Sequence, residues 1–176
     1  SKNKVKILNN FNIPLKQKKI DITIAAIPGL AGLEPTIIFT KISKKILLAN
    51  KESIKCGWNI INNIAKKNKT IIIPLDSEHF SIYQLVQNIK NNEIEKIYLT
   101  ASGGPFLNLP INKFKNIKPS HALKHPKWKM GKKISVDSST LMNKILELIE
   151  AKKIFNFEFN KYQIIIHPQS LVHAIV

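Results

Sequence analysis

Three short, nearly continuous apolar runs constrain this chain more than any other feature: residues 22–27 (Ile-Thr-Ile-Ala-Ala-Ile), 45–49 (Lys-Ile-Leu-Leu-Ala) and 70–75 (Thr-Ile-Ile-Ile-Pro-Leu). A strand that is apolar at consecutive positions must bury both faces, as strands of parallel sheets do. The segments between them, Leu33 to Ile42 and Ser53 to Lys67, carry apolar residues at helical spacing (Ile54, Trp58, Ile61 and Ile64 in the second) and are long enough to serve as crossovers. The pattern predicts β-α-β-α-β with a parallel sheet. Pro74 falls inside the third run, where its missing N–H assigns it to a sheet edge or a strand end.

A second region opens near Asp76. It starts with a predicted helix from Phe80 to Asn91 and a strand from Lys96 to Thr100. From Ser102 to Lys133 periodicity stops and Gly, Pro, Asn and Lys predominate; an aperiodic segment of that length reads as a lid. Ser138 or Asp137 is then expected to cap a helix running through Lys153, with Leu141, Ile145, Leu148 and Ile149 on its apolar side. Two strand-like runs, Tyr162 to Ile166 and Leu171 to Val176, flank His167-Pro168-Gln169-Ser170, where His167 reads as ordering the connection.

Composition excludes several function classes. At 176 residues and 44% hydrophobic the chain can bury a substantial core. Its apolar runs fall far short of the roughly 20 residues of a membrane span, so no membrane partner is expected. The net charge of +17 raises nucleic acid as a partner, but all the basic residues are Lys, and Arg, the side chain suited to bidentate phosphate and guanine contacts, is absent. Lysines spread along the whole chain, with abundant Ile and Asn, are what an AT-rich coding sequence produces; no nucleic-acid partner is expected. The lone Cys56 leaves no intrachain disulfide and fits a reducing, cytoplasmic setting. The opening residues carry neither a start methionine nor a secretory apolar core, so the chain is expected to begin within a longer protein.

Several groupings could carry chemistry. Asp76-Ser77-Glu78 follows the third apolar run and puts two carboxylates on one side of an extended backbone, beyond the carboxyl end of a strand where ligands of open α/β sheets collect; the alternative is a solvated turn capping a helix. Asn143, Lys144 and Glu147 share one helical face, either as a solvated stripe or, near a helix N-terminus with Ser138, as donors and a charge for a phosphate. Ser102-Gly103-Gly104 directly after a strand can present backbone N–H groups to an anion or simply make a turn. Gly29 and Gly32 after the first run permit close approach of a cofactor or tight helix packing. His125 to Gly131 places Trp128 and Met130 in the aperiodic segment, where closure over a ligand and a loop pinned to the core are both open.

Taken in order, these segments resemble the 1-deoxy-D-xylulose 5-phosphate reductoisomerase family. The matching stretches are Ala25-Ala26-Ile27 with Gly29 and Gly32, Leu47 to Ser53, Asp76-Ser77-Glu78-His79, Ser102 to Phe106, His125 to Ser138, Met142-Asn143-Lys144 with Glu147 and Glu150-Ala151, and His167 to Ser170. The resemblance implies an α/β chain: the partial, parallel, Rossmann-like sheet of an NADPH-binding domain over residues 1–76, followed by an α+β catalytic domain over 77–176 with a long lid loop. It implies an enzyme, in the intact protein a homodimer, that isomerises and reduces 1-deoxy-D-xylulose 5-phosphate to 2-C-methyl-D-erythritol 4-phosphate in non-mevalonate isoprenoid precursor synthesis, using NADPH and Mg²⁺ or Mn²⁺. By the same resemblance Asp76, Glu78 and Glu147 are metal ligands, and Lys51, Glu78 and His125 are catalytic. The sugar phosphate meets Lys51, Ser77, Glu78, Ser102, His125, Ser138, Asn143, Lys144 and Glu147; NADPH meets Asn50, Glu52 and Gly131; Trp128 and Met130 belong to the lid. Two departures stand beside it: residues 1–24 show little similarity, and the family's opening strand with its glycine-rich pyrophosphate loop and its C-terminal helical domain are not in this sequence. The alternatives are a remnant that retains only metal and sugar-phosphate binding, and a basic nucleic-acid-binding module.

Overall fold

The computed structural model describes residues 19–123 and 131–176. These fall into two compact units that divide between Pro74 and Leu75. In the first, β1 (Ile20–Ala25), α1 (Leu33–Ile42), β2 (Ser43–Leu48), α2 (Lys51–Asn68) and β3 (Ile71–Pro74) alternate as the apolar pattern requires, with a short 3-10 turn at Leu30–Gly32 leading into α1. The sheet is parallel in the order β1-β2-β3, with Ile24 opposite Leu47 and Leu47 opposite Ile73. β1 and β2 each start two residues before the predicted run, because Ser43 is buried in the sheet and bonds Thr23 of β1 (2.7 Å). Pro74 ends β3, which among the described residues pairs only with β2, so its missing donor is not needed there.

α2 holds this unit together. Its buried face is Ile54, Trp58, Ile61 and Ala65, spaced to recur once per turn, and it packs on α1. Gly57 lies on that contact: a Cβ there would stand 2.3 Å from Leu33 Cδ1, so any larger residue would have to displace the end of the Leu33 side chain. The Asn50 side chain caps α2 by accepting from the Ser53 amide, and its amide nitrogen donates to Ile27 O (2.6 Å) and Gly29 O (2.9 Å). One buried side chain thus starts the helix and ties down the loop after β1.

The second unit contains α3 (Ser77–Val86), β4 (Ile97–Ala101), α4 (Pro119–Ala122), α5 (Lys132–Ser139), α6 (Met142–Phe155), β5 (Tyr162–Ile166) and β6 (Ala174–Ile175), with 3-10 turns at Ile111–Asn116 and Phe159–Lys161. β4 is central, parallel to β5 and antiparallel to β6. Ile82, Ile97, Leu99, Leu148, Ala151, Phe157 and Tyr162 form its core.

The expected single helix from Ser138 to Lys153 is two helices. Ser138 lies in the last turn of α5, and the chain turns at Leu141, whose φ of 60° breaks the helical path before α6. The burial of α6 also departs from expectation. Lys144, Glu147, Leu148, Glu150 and Ala151 face inward, while Leu141, Ile145 and Ile149 are exposed. Of the predicted apolar side only Leu148 is buried. The predicted strand from Leu171 is reduced to Ala174–Ile175, and His167 orders the connection before it, its Nε2 accepting from the Leu171 amide (3.1 Å). No helix among the described residues is long and apolar enough to cross a membrane.

Candidate metal and phosphate site

The three candidate metal ligands reach one point in the second unit by separate routes. Asp76 precedes α3 as its N-cap residue and Glu78 lies in the first turn; Glu147 projects from the inward face of α6. One carboxylate oxygen from each lies within 4.8 Å of the others. Two ligands on opposite sides of a magnesium ion about 2.1 Å away are about 4.2 Å apart, so a small turn of these side chains lets all three grip one such ion. The donors are all hard oxygens. Among the described residues the Lys144 ammonium is bonded to two of these three carboxylates, and the cluster keeps a net negative formal charge that favours a divalent cation.

Lys144 Nζ donates to Glu78 Oε1 (2.7 Å) and to Glu147 Oε2 (2.5 Å), and Asn143 Nδ2 donates to Glu147 Oε1 (2.5 Å). Burial alone would lower the Lys144 pKa, but the Glu147 and Glu78 carboxylates outweigh it and hold the ammonium above the usual lysine range. The helical spacing that put Asn143, Lys144 and Glu147 on one face therefore produces a bonded cluster rather than a solvated stripe.

Ser102 and Ser138 belong to two segments that pack against each other. Gly103 and Gly104 follow β4 with φ of 89° and 69°, and a Cβ on Gly104 would lie 2.8 Å from Ser138 O, so the turn fits only with glycine there. Ser102 Oγ accepts from the Gly104 amide at 3.4 Å. α6 begins four residues after Ser138, so its N-terminus with Asn143 and Lys144 is joined to this turn by the Ser138–Leu141 connection. Ser77 Oγ donates to Glu78 Oε2 (2.7 Å) and so orients a carboxylate of the cluster.

Other candidates are placed differently. Asn50, Lys51 and Glu52 sit at the N-terminus of α2 in the first unit, and the Asn50 side chain is buried and engaged with Ile27, Gly29 and Ser53; Glu52 Oε2 accepts from it at 3.5 Å. Gly131 is exposed and precedes α5. His125, Trp128 and Met130 lie outside the described residues.

Two residues without an assigned role stand at the cluster. His79 and Glu150 are both 0% exposed. His79 Nε2 donates to Glu147 O (2.8 Å), while its Nδ1 lies 3.6 Å from Asp76 Oδ1 and 3.8 Å from Glu150 Oε2. Spacing holds the signal for both: His79 is three residues after Asp76, and Glu150 is three after Glu147.

Comparison with known proteins decides the family. The family model described as 1-deoxy-D-xylulose 5-phosphate reductoisomerase matches residues 9–57, and that of the same enzyme's C-terminal domain matches residues 72–155, the stretch that carries the whole carboxylate cluster. The chain belongs to the 1-deoxy-D-xylulose 5-phosphate reductoisomerase family. The enzyme of that name from Pelagibacter ubique is 56% identical over 98% of this chain, and that from Wolbachia pipientis of Culex pipiens is 51% identical over 89%. Among solved structures, the reductoisomerase from Zymomonas mobilis in complex with NADPH superposes with a TM-score of 0.79 at 39% identity over 88% of the chain. A reductoisomerase in complex with NADPH, fosmidomycin and magnesium gives 0.78 at 43% identity over 91%. The chain covers 46% and 40% of the two relatives, and 39% and 42% of the two structures, so it spans less than half their length.

Proposed function

We propose that the protein to which this chain contributes isomerises and reduces 1-deoxy-D-xylulose 5-phosphate to 2-C-methyl-D-erythritol 4-phosphate, a step of non-mevalonate isoprenoid precursor synthesis, as a cytoplasmic homodimer. The observation that carries this reading is the convergence of Asp76, Glu78 and Glu147 within 4.8 Å, beside Lys144 and Asn143. Relatives that bear the enzyme's name, and neighbours in complex with NADPH and magnesium, support it.

In this reading the NADPH-binding domain, expected over residues 1–76, corresponds to the unit that ends at Pro74, and the domain that holds metal and substrate, expected over 77–176, to the unit that opens at Leu75 and so includes Asp76. Asp76, Glu78 and Glu147 hold the divalent ion. When bound, Mg²⁺ or Mn²⁺ supplies Lewis acidity toward the substrate ketone, and NADPH supplies the hydride. Ser102, Ser138, Asn143 and Lys144 take the phosphate, which the N-terminus of α6 favours electrostatically. Ser77 keeps Glu78 oriented; Lys51 and His125 contact the sugar, and Trp128 and Met130 exclude water. Toward NADPH, Asn50 contributes position rather than a free amide: its bonds to Ile27 and Gly29 hold the loop after β1 next to the start of α2, at the carboxyl end of the sheet. Glu52 and Gly131 are the accompanying contacts.

The test mixes the full-length protein with 1-deoxy-D-xylulose 5-phosphate, NADPH and Mn²⁺ and follows NADPH absorbance. Oxidation that needs both metal and sugar phosphate is the expected result. Mn²⁺ and phosphate binding without oxidation identifies a binding module instead. Glu147→Gln is expected to lower the metal-dependent rate at least about 100-fold with a melting temperature close to wild type, because a first ligand costs no less than the outer partners of a metal site. Unchanged turnover removes Glu147 from the site.

A further inference from the structure

The cluster has a buried back wall that the proposed chemistry does not use. Glu150 is 0% exposed, although even a paired carboxylate is costly to bury and an apolar side chain of similar volume is commonly as stable or more so. Stability therefore does not account for a glutamate on the inward face of α6. Its surroundings do. Glu150 Oε2 lies 3.8 Å from His79 Nδ1, and that same nitrogen lies 3.6 Å from Asp76 Oδ1. The opposite ring nitrogen donates to the backbone oxygen of Glu147 at 2.8 Å. One buried imidazole thus spans the two segments that supply the carboxylates, touching Asp76 ahead of α3 and the main chain of Glu147 on α6.

We propose that Glu150 is a positioning residue for the carboxylate cluster, acting through His79. Glu150 Oε2 and Asp76 Oδ1 flank Nδ1 beyond hydrogen-bond distance, so the ring, with Nε2 on Glu147 O, is packed between the two carboxylates, and Glu150 limits how far it can swing away from Asp76. Side chains that orient a metal's ligands without touching the ion are typically worth about 10–100-fold in metal affinity. The inference rests on Asp76, Glu78 and Glu147 being the metal ligands.

The experiment measures Mn²⁺ binding by electron paramagnetic resonance in the full-length protein, alongside melting temperature without metal. Wild type is expected to bind Mn²⁺, and Asp76→Asn to lose it. Glu150→Met and Glu150→Gln are expected to bind about 10–100-fold more weakly and to broaden the bound-Mn²⁺ spectrum, with a metal-free melting temperature equal to or above that of wild type. In a His79→Asn background, Glu150→Met is expected to add less than about twofold, because two residues acting as one unit are not additive. Affinity within about twofold of wild type in both Glu150 variants overturns the proposal, as does a full additive loss in the double variant. So does a melting temperature that falls while affinity holds. If Glu150→Met does not fold, Glu150→Gln decides. A wild-type protein that takes up no Mn²⁺, or an Asp76→Asn variant that binds as wild type does, overturns the metal-site reading itself and this inference with it.

Discussion

The two long helices of this chain are built on opposite plans. α2 buries Ile54, Trp58, Ile61 and Ala65, caps its N-terminus with Asn50 and turns Cys56, Asn59 and Ile60 to solvent. α6 buries Lys144, Glu147 and Glu150 and leaves Ile145 and Ile149 exposed. What secures α6 is largely polar and directed at its own main chain: His79 donates to Glu147 O, and the Tyr162 hydroxyl donates to Ala151 O at 3.1 Å, with Leu148 and Ala151 supplying the apolar share. A helix that frames a sheet can spend its inward face on burial, whereas one that presents ligands must give that face to charged groups and be anchored by other means.

The largest expected effect sharpens this contrast on the α2 side. Ile61 is 0% exposed, so Ile61→Ala in the full-length protein is expected to destabilise by about 2–5 kcal/mol, from lost burial plus the cavity left behind. Chemical denaturation checks it, and a loss below about 1 kcal/mol would mean that α2 is not the apolar keystone of its unit.

Next in size is the anchor of α6. Tyr162→Phe removes one neutral hydrogen bond and is expected to cost about 0.5–1.5 kcal/mol near neutral pH. Burial raises the Tyr162 phenol above its ordinary value, against a smaller lowering by the backbone at Phe157. A raised folded-state pKa means that the stabilisation is fully present below about pH 10 and declines as pH climbs past it, because the unfolded chain then releases a proton that the folded chain retains. The stability gap between wild type and Tyr162→Phe should therefore narrow above about pH 10, read from denaturation curves of the two proteins in parallel. A gap that stays constant places the phenol outside the anchor.

These contrasts also mark what the sequence makes legible. Continuous runs such as Ile71-Ile72-Ile73 announce buried strands whatever surrounds them, and the Ile54, Trp58 and Ile61 spacing identifies α2 because its burial follows hydrophobicity. α6 is misread by the same logic: its inward face is chosen by the site, so the apolar side indicated by Ile145 and Ile149 is the wrong one. The break at Leu141 is hidden because a left-handed residue is usually announced by Gly or Asn, and Asp137-Ser138-Ser139-Thr140 reads as an ordinary cap. Asp76 and Glu78 are legible as a pair from their place after the third strand, but their grouping with Glu147 rests on the family resemblance, since Asp76 and Glu147 are 71 positions apart, which no local pattern can span. His79 and Glu150 stood inside the matching stretches without a role, since burial of a polar side chain is a tertiary fact that spacing only hints at.

The smallest expected effect is the one most able to break the comparison. If the outward face of α6 is solvent-facing in the full-length protein, Ile145→Lys and Ile149→Lys should each change stability by no more than about 0.5 kcal/mol, as substitutions at exposed helix positions do. Isoleucine and lysine differ little in helix propensity, with lysine slightly favoured, so propensity gives no reason for a loss. A loss above about 2 kcal/mol in either variant would mean that these side chains are covered, because only burial penalises an ammonium that heavily. α6 would then bury two faces, a polar one toward the carboxylates and an apolar one toward another part of the protein, and the difference from α2 would lie in having a second buried face rather than in an exchange of inside for outside. Melting curves of the two variants beside wild type distinguish the cases, with Ile60→Lys, on the exposed side of α2, as the control expected to stay within about 0.5 kcal/mol.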